Sequence, residues 1–314
     1  MVAMWTPFGR SLNQMTGGRP TREGVASAPH NLSPARSNED VLQMPVEETH
    51  VAIAGDWHAN INWVGTAIPM LSREAPGVAT ILHLGDFGIG TGMRERNFLD
   101  AVDYWCAKAG ISRVLITPGN HEDWSWLDDS FAAQPATPVA LSSVVSVLPR
   151  GHRFEIGGAS FISFGGAASV DYEMRLAGRD WFATELPTES DVECAIRGGT
   201  VDVLLTHETI DGGTAATERV LGHNPLGFSQ DALVYSKVSR ALVTRVWDSV
   251  APTIMFHGHM HVADEITLPS GQQVVSLGRD NQLRNLALLE LSTLKWRWVE
   301  ATPVESPNRR VKGH

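Results

Sequence analysis

At 314 residues, with 43% hydrophobic and 19% charged content, the chain has the composition of a globular protein of one large or two ordinary domains, not of a disordered one. Its formal net charge of −10 argues against a protein whose main task is coating nucleic acid, since that binding rests on Lys and Arg meeting phosphates. Cys106 and Cys194 form no CxxC pattern and no apolar run approaches the ~18 residues of a membrane span, so a cytoplasmic protein with two reduced thiols and no membrane contact is expected.

Residues 1–48 are rich in Gly, Pro, Ser, Asn and Arg, with no sustained apolar period, and read as a disordered extension. A translation start further on, for instance at Met44, is the other reading of this stretch. Its first residues lack the long apolar core of a secretory signal. One domain is expected over residues 49–302, followed by a tail at 303–314 that contains Pro and Arg.

From His50 onward, strand-like and helix-like runs alternate. Ile61 to Arg73 carries Ile61, Val64, Ile68 and Leu71 near helical spacing, and Pro76-Gly77 closes it. Arg94 to Ala109 repeats the pattern with Phe98, Val102, Trp105 and Cys106, ending at Gly110. Such alternation predicts a mostly parallel sheet covered by helices. Ser143 to Ala168 instead reads as several short strands separated by double glycines, predicting antiparallel hairpins in a second sheet. Glu189 to Arg197 and Ser229 to Ser249 are predicted helices, the second with Leu233, Val234, Val238, Leu242, Val246 and Trp247 on one side. Val201 to Thr206, Gln273 to Leu277 and Leu286 to Leu291 read as strands.

Five apolar runs share one layout, a β-rich segment with His, Asp or Asn just past its end. Val51-Ala52-Ile53-Ala54 leads into Gly55-Asp56-Trp57-His58, and Thr80-Ile81-Leu82-His83-Leu84 into Gly85-Asp86-Phe87-Gly88. Val114-Leu115-Ile116-Thr117-Pro118 leads into Gly119-Asn120-His121-Glu122. Val203-Leu204-Leu205-Thr206 leads into His207, and Thr253-Ile254-Met255-Phe256 into His257-Gly258-His259-Met260-His261. In an open α/β sheet, sites form beyond the carboxyl ends of strands, so the five runs are expected to converge there. The i, i+2 pairs Asp56/His58 and His259/His261 would point the same way on strand-like backbone.

The order Asp-x-His, Gly-Asp, Gly-Asn-His-Glu, His, Gly-His-x-His resembles the calcineurin-like metallophosphoesterase superfamily over roughly Thr49 to Leu291. The resemblance implies a four-layer αββα sandwich, two mixed sheets flanked by helices, with a metal site at the carboxyl ends of the strands. It implies two divalent metal ions sharing Asp86, with Asp56, His58 and His261 completing one site and Asn120, His207 and His259 the other. Imidazole and carboxylate donors suit Mn²⁺, the expected ion, or Fe, Zn, Co or Ni. A water whose pKa is lowered by the ions would attack phosphorus in line, while His121 contacts the substrate and protonates the leaving oxygen or stabilises the transition state.

The expected activity is hydrolysis of a phosphate ester, a small-molecule or nucleotide phosphodiester in preference to a phosphoprotein, a monoester or a nucleic-acid polymer. A catalytically inactive scaffold of the same fold would lack ligand residues, whereas all seven implied ligand positions, and His121 beside them, carry the expected residue. A metallo-β-lactamase-type plan would need an HxHxDH run, which the chain lacks. Two departures from the family pattern bear on substrate grip: Gly88-Ile89 stands where many members have a further Asp, and Asp123-Trp124 where many have an Arg. Arg175 or Arg179 is the candidate replacement for that Arg. Glu122 either orients a neighbouring histidine or is solvated, and His83 and His257, inside strands ahead of their motifs, read as structural or as supports behind the ligand residues. Trp57, Trp63, Trp124, Trp126 and Trp181 either line a pocket for a flat leaving group or pack in the core. The sequence says nothing about oligomeric state.

Overall fold

Within β1 (His50–Ala54), Val51 and Ile53 face one hydrophobic core while Ala52 and Ala54 face another, the period-two split of a strand buried on both sides. That split sets the layering. The computed structural model describes residues 48–90, 93–224 and 226–300. The chain continues through α1 (Ile61–Glu74), β2 (Thr80–His83), α2 (Met93–Ala109), β3 (Arg113–Ile116), α3 (Trp124–Ala133), β4 (Val139–Ala140) and β5 (Val145–Val147). It then forms β6 (His152–Ile156), β7 (Ala159–Phe164), α4 (Glu189–Ile196), β8 (Val203–Thr206), α5 (Ala215–His223) and α6 (Gln230–Val250). The last strands are β9 (Ile254–His257), β10 (Asp264–Thr267), β11 (Gln273–Ser276), β12 (Leu286–Glu290) and β13 (Trp296–Trp298).

One sheet has seven strands in the order β13-β12-β1-β2-β3-β5-β4, the other six in the order β10-β11-β9-β8-β7-β6. β1, β2, β3 and β5 run parallel, as do β7, β8, β9 and β11. Antiparallel pairs sit on the flanks of both sheets, so both are mixed. Val51, Ile53, Leu82, Phe161, Leu205, Phe256 and Leu289 interleave between the sheets. Outside the first sheet, Val64, Ile68 and Leu71 of α1 and Phe98, Val102 and Cys106 of α2 meet Ala52, Ile81 and Val114. Outside the second, Val192 of α4 and Val243, Val246 and Trp247 of α6 meet Ile162, Leu204 and Met255. The result is the four-layer αββα sandwich with two mixed sheets.

Three local expectations need correcting. Val145–Val147 joins the first sheet beside β3 rather than the second, because its alternating Val145 and Val147 complete the core under α2 and α3. Within the stretch Ser143 to Ala168, only β6 and β7 form an antiparallel hairpin in the second sheet. Two helices were not apparent from spacing: α3, capped by Asp123 accepting from the Trp126 amide, and α5, capped by Thr214 accepting from the Thr217 amide. Both cysteines are free, Cys106 buried and Cys194 exposed. The expected extension at 1–48, save Glu48, and the tail at 303–314 lie outside the described residues. No helix among the described residues is long and apolar enough to cross a membrane.

Candidate metal centre

Because β1, β2 and β3 are parallel in one sheet and β7, β8 and β9 in the other, their carboxyl ends open on one edge, where Asp56, Asp86, Asn120, His207, His259 and His261 follow. The backbone there is not strand-like, contrary to the expectation for the i, i+2 pairs. Asp86 has φ 50°, His58 48°, His259 65° and His261 53°, all in the left-handed region. For residues with a Cβ that conformation costs on the order of 1–3 kcal/mol each and marks a site whose surroundings enforce it. Backbone hydrogen bonds supply the enforcement: the His58 amide donates across to the Asp86 carbonyl of the next loop, and the Met260 amide closes a tight turn onto the Gly258 carbonyl, both at 2.7 Å. Gly85 must be glycine here, since it has φ 97° and a Cβ would lie 2.6 Å from the Gly119 nitrogen.

Ligand atoms of Asp56, His58, Asp86 and His261 all lie within 4.8 Å of one another. His261 Nε2 is 2.9 Å from Asp56 Oδ2, and His58 Nε2 is 3.6 Å from Asp86 Oδ2. On the other side of Asp86, Oδ1 is 3.2 Å from His207 Nε2, which is 3.0 Å from Asn120 Oδ1. The His259 ring is centred 5.0 Å from that of His207, and the His259 amide donates to the Asp56 carboxylate. The two oxygens of Asp86 thus face two different groups of side chains. His121 is at the rim, its Nε2 3.8 Å from Asp86 Oδ2.

The donor arrangement fits a cation. His207 Nδ1 donates to the Leu84 carbonyl at 2.6 Å, so a neutral ring turns its Nε2 lone pair toward two further acceptors, Asp86 Oδ1 and Asn120 Oδ1. Three acceptors crowded this closely are stable only around a proton or a metal ion. The electrostatics agree. Burial lowers the His207 pKa, but the Asp86 and Asp56 carboxylates outweigh it and raise the group to about 10. His58 likewise rises to about 10 against burial, through Asp280 and Asp86. Burial raises the pKa of Asp56, yet His261 and His207 bring it down to about 2, and Asp86 is held well below the usual carboxylate range by His207 and His121.

Around these residues lies a set of partners that no motif announced. Asp280 accepts from His58 Nδ1 at 3.0 Å and from the Asn60 amide group, a carboxylate–histidine pair that fixes the ring's tautomer and turns Nε2 toward Asp86. Its signal was available, since it follows the β11 strand as the other site residues follow theirs. Asn285 accepts from the indoles of Trp57 and Trp63 and donates to the Gly278 carbonyl. Ser169, beyond the end of β7, accepts from Asn120 Nδ2 at 3.0 Å and donates to Glu185 at 2.8 Å. Burial pushes the Glu185 carboxyl up to about 7, against four hydrogen bonds that favour its ionised form.

Arg175 reaches the rim. Its guanidinium lies 2.9 Å from His121 Nδ1 and 3.2 Å from Nε2, while Asp171 holds it through two further hydrogen bonds. Arg179 is exposed on the same segment. Burial and the Arg175 charge lower the His121 pKa to about 4, although Asp86 opposes them.

Glu122 fits neither expectation. It is buried and accepts from the amides of Asp86, Phe87, Gly88 and Gly119, clamping two of the site's turns together. His83 Nδ1 accepts from the Gly85 amide and His257 Nδ1 donates to the Gly258 carbonyl, and burial lowers their pKa values to about 3 and about 4. Trp57 and Trp124 are core residues, the second donating to the Gly119 carbonyl with Arg150 stacked 3.9 Å from its ring. Trp63 is half-buried, Trp126 exposed, and Trp181 packs against Tyr172 beside the Arg175 segment.

Solved structures share the architecture at low identity, which speaks to fold alone. One crystal structure has a TM-score of 0.51 at 14% identity, covering 81% of this chain and 99% of that one. TT1561 of Thermus thermophilus aligns with a TM-score of 0.48 at 11% identity over 80% of this chain and 99% of its own. A dimetal phosphatase from Danio rerio aligns with a TM-score of 0.47 at 12% identity over 77% of this chain and 92% of its own. No curated protein matches the chain. The family model of the calcineurin-like phosphoesterases matches residues 49–263, more than half of the sequence, and the chain belongs to that family.

Proposed function

We propose that the protein is a hydrolase of small phosphate esters, phosphodiesters in preference to monoesters, that works with two divalent metal ions held on either side of Asp86. The observation that carries the reading is the split of the Asp86 carboxylate, Oδ1 facing His207 and Oδ2 facing His58. Asp56, His58 and His261 would hold one ion with Asp86, and Asn120, His207 and His259 the other. Mn²⁺ is the ion we favour, with Fe, Zn, Co and Ni suited to the same donors. When bound, the ions supply an acidified water and neutralise charge building on the phosphoryl group.

The chain's own residues do the rest. Arg175 is placed to meet a phosphoryl oxygen, its planar fork matching that geometry, and Asp171 fixes the side chain beforehand. His121 is neutral while burial and the Arg175 charge outweigh Asp86. A bound phosphoryl group would offset the Arg175 charge and let His121 hold a proton for the leaving oxygen. Burial of Asp56, Asp86 and Asn120 keeps bulk water from screening these contacts. The net charge of −10 continues to weigh against a polymeric nucleic-acid substrate. The two free thiols fit a reducing, cytoplasmic setting.

The test is hydrolysis of bis-p-nitrophenyl phosphate and of p-nitrophenyl phosphate by metal-stripped protein with Mn²⁺ titrated back. Metal-restored cleavage of the diester with little of the monoester supports the reading; the reverse preference makes the protein a phosphomonoesterase. Binding of metal with neither cleaved would turn the account toward an inactive scaffold.

A further inference from the structure

Glu185 is buried 65 residues from Asn120 in sequence, outside every motif, and four donors converge on it. Its Oε1 accepts from the Ser169 amide at 2.6 Å, Tyr235 Oη at 3.0 Å and Trp181 Nε1 at 3.1 Å. Its Oε2 meets the Ser169 hydroxyl at 2.8 Å. Ser169 Oγ in turn lies 3.0 Å from Asn120 Nδ2, and Asn120 Oδ1 lies 3.0 Å from His207 Nε2. Ser169 and Asn120 are both buried.

We propose that Glu185 is a positioning residue of the metal centre, fixing through Ser169 which end of the Asn120 amide faces Asp86 and His207. The inference rests on the reading of Asn120 as a metal ligand. An asparagine amide is nearly symmetric in shape, so packing alone does not decide whether oxygen or nitrogen points at the site. Hydrogen-bond polarity does. An ionised carboxylate oxygen only accepts, so Glu185 Oε2 takes the single Ser169 O–H. Ser169 Oγ then has only lone pairs left for Asn120, and only Nδ2 can meet them. Oδ1 is thereby committed to the cation side. A flipped amide would aim N–H at His207 Nε2 and remove one oxygen donor.

The same logic extends outward. Trp181 sits on the segment that carries Arg175, and Tyr235 sits on α6, so Glu185 ties the substrate-facing rim to the orientation of Asn120.

The test uses polarity. In Glu185→Gln the three donors on Oε1 keep the amide oxygen where Oε1 was, so the new N–H₂ must face Ser169 and donate to it. The Ser169 proton is then free to donate to Asn120, which favours the flipped amide. Mn²⁺ binding to the full-length protein is followed by calorimetry and metal analysis at pH 8, above the pKa of about 7 at which Glu185 takes up a proton. The expected result is two equivalents in the unmodified protein, with one weakened by roughly 10–100-fold in Glu185→Gln and the other unchanged. Adding Asn120→Asp to Glu185→Gln reverses every donor along the chain and returns an oxygen to the site. The gain from Asn120→Asp should therefore be larger in the Glu185→Gln background than in the unmodified protein, a coupling that a merely structural glutamate does not predict.

Should Glu185→Gln fail to fold by circular dichroism, Ser169→Ala and Ser169→Thr replace it: the first weakens the same equivalent and the second, which keeps the hydroxyl, does not. Two equivalents in the unmodified protein, with Glu185→Gln or Ser169→Ala binding unchanged, overturns this inference alone. Fewer than two in the unmodified protein overturns the metal reading, and this inference with it.

Discussion

The Arg175 guanidinium lies 2.9 Å from His121 Nδ1, across 54 positions of sequence. His121 sits at the rim, its Nε2 3.8 Å from Asp86 Oδ2 and its ring held against the Arg175 guanidinium. His121→Ala is therefore expected to lower turnover by about 10²–10⁴-fold while leaving metal content unchanged. Arg175→Ala should act mainly on KM, because the phosphoryl grip we propose for it would be made in the ground state as well as the transition state. Steady-state kinetics beside metal analysis separate these. Loss of metal in His121→Ala would show that the side chain is a ligand instead.

Glu122 holds the turns of Asp86 and Gly119 by accepting four backbone amides at 2.6–3.3 Å. Glu122→Gln replaces one acceptor oxygen by a donor, and in either orientation two buried amides lose their partner. A loss of roughly 1–3 kcal/mol per unsatisfied group is expected, read as a lower urea midpoint for the variant. An unchanged midpoint would mean that the turns hold themselves.

Metal binding should release protons. In the metal-free protein His58 is raised to about 10 by Asp280 and Asp86, and His207 to about 10 by Asp86 and Asp56, so both rings are protonated at pH 8. A metal ion needs their lone pairs, so affinity should strengthen as pH rises toward 10 and weaken as it falls, by up to about tenfold per pH unit for each proton displaced. Calorimetry in Tris and in HEPES, which differ in ionisation heat, reads the proton count directly. Equal heats in the two buffers would contradict the expectation.

Much of the frame was legible because burial leaves a periodic trace. Ile68 and Leu71 placed α1, and the apolar runs before Asp56, Asp86, Asn120 and His207 placed four parallel strands. The local geometry at the site was not legible. Asp86, His58, His259 and His261 adopt positive φ without being glycine, against their intrinsic preference, because neighbouring turns enforce it. Asp280, Ser169, Glu185 and Asn285 escaped notice for another reason. They reach the site through tertiary connections such as the 49-residue separation of Asn120 and Ser169, although Asp280, which follows β11, shares the strand-end layout of the motif residues. The clamp made by Glu122 has no sequence signature, because any buried carboxylate can accept backbone amides.

The central claim is that one carboxylate serves two metal ions. Metal content of purified protein loaded with Mn²⁺, compared between the unmodified chain and Asp86→Asn, tests it most directly. The account predicts two ions per chain falling below one, with turnover down by more than the roughly 100-fold typical of losing an outer partner. Two ions retained in Asp86→Asn, or one ion in the unmodified protein, would contradict it.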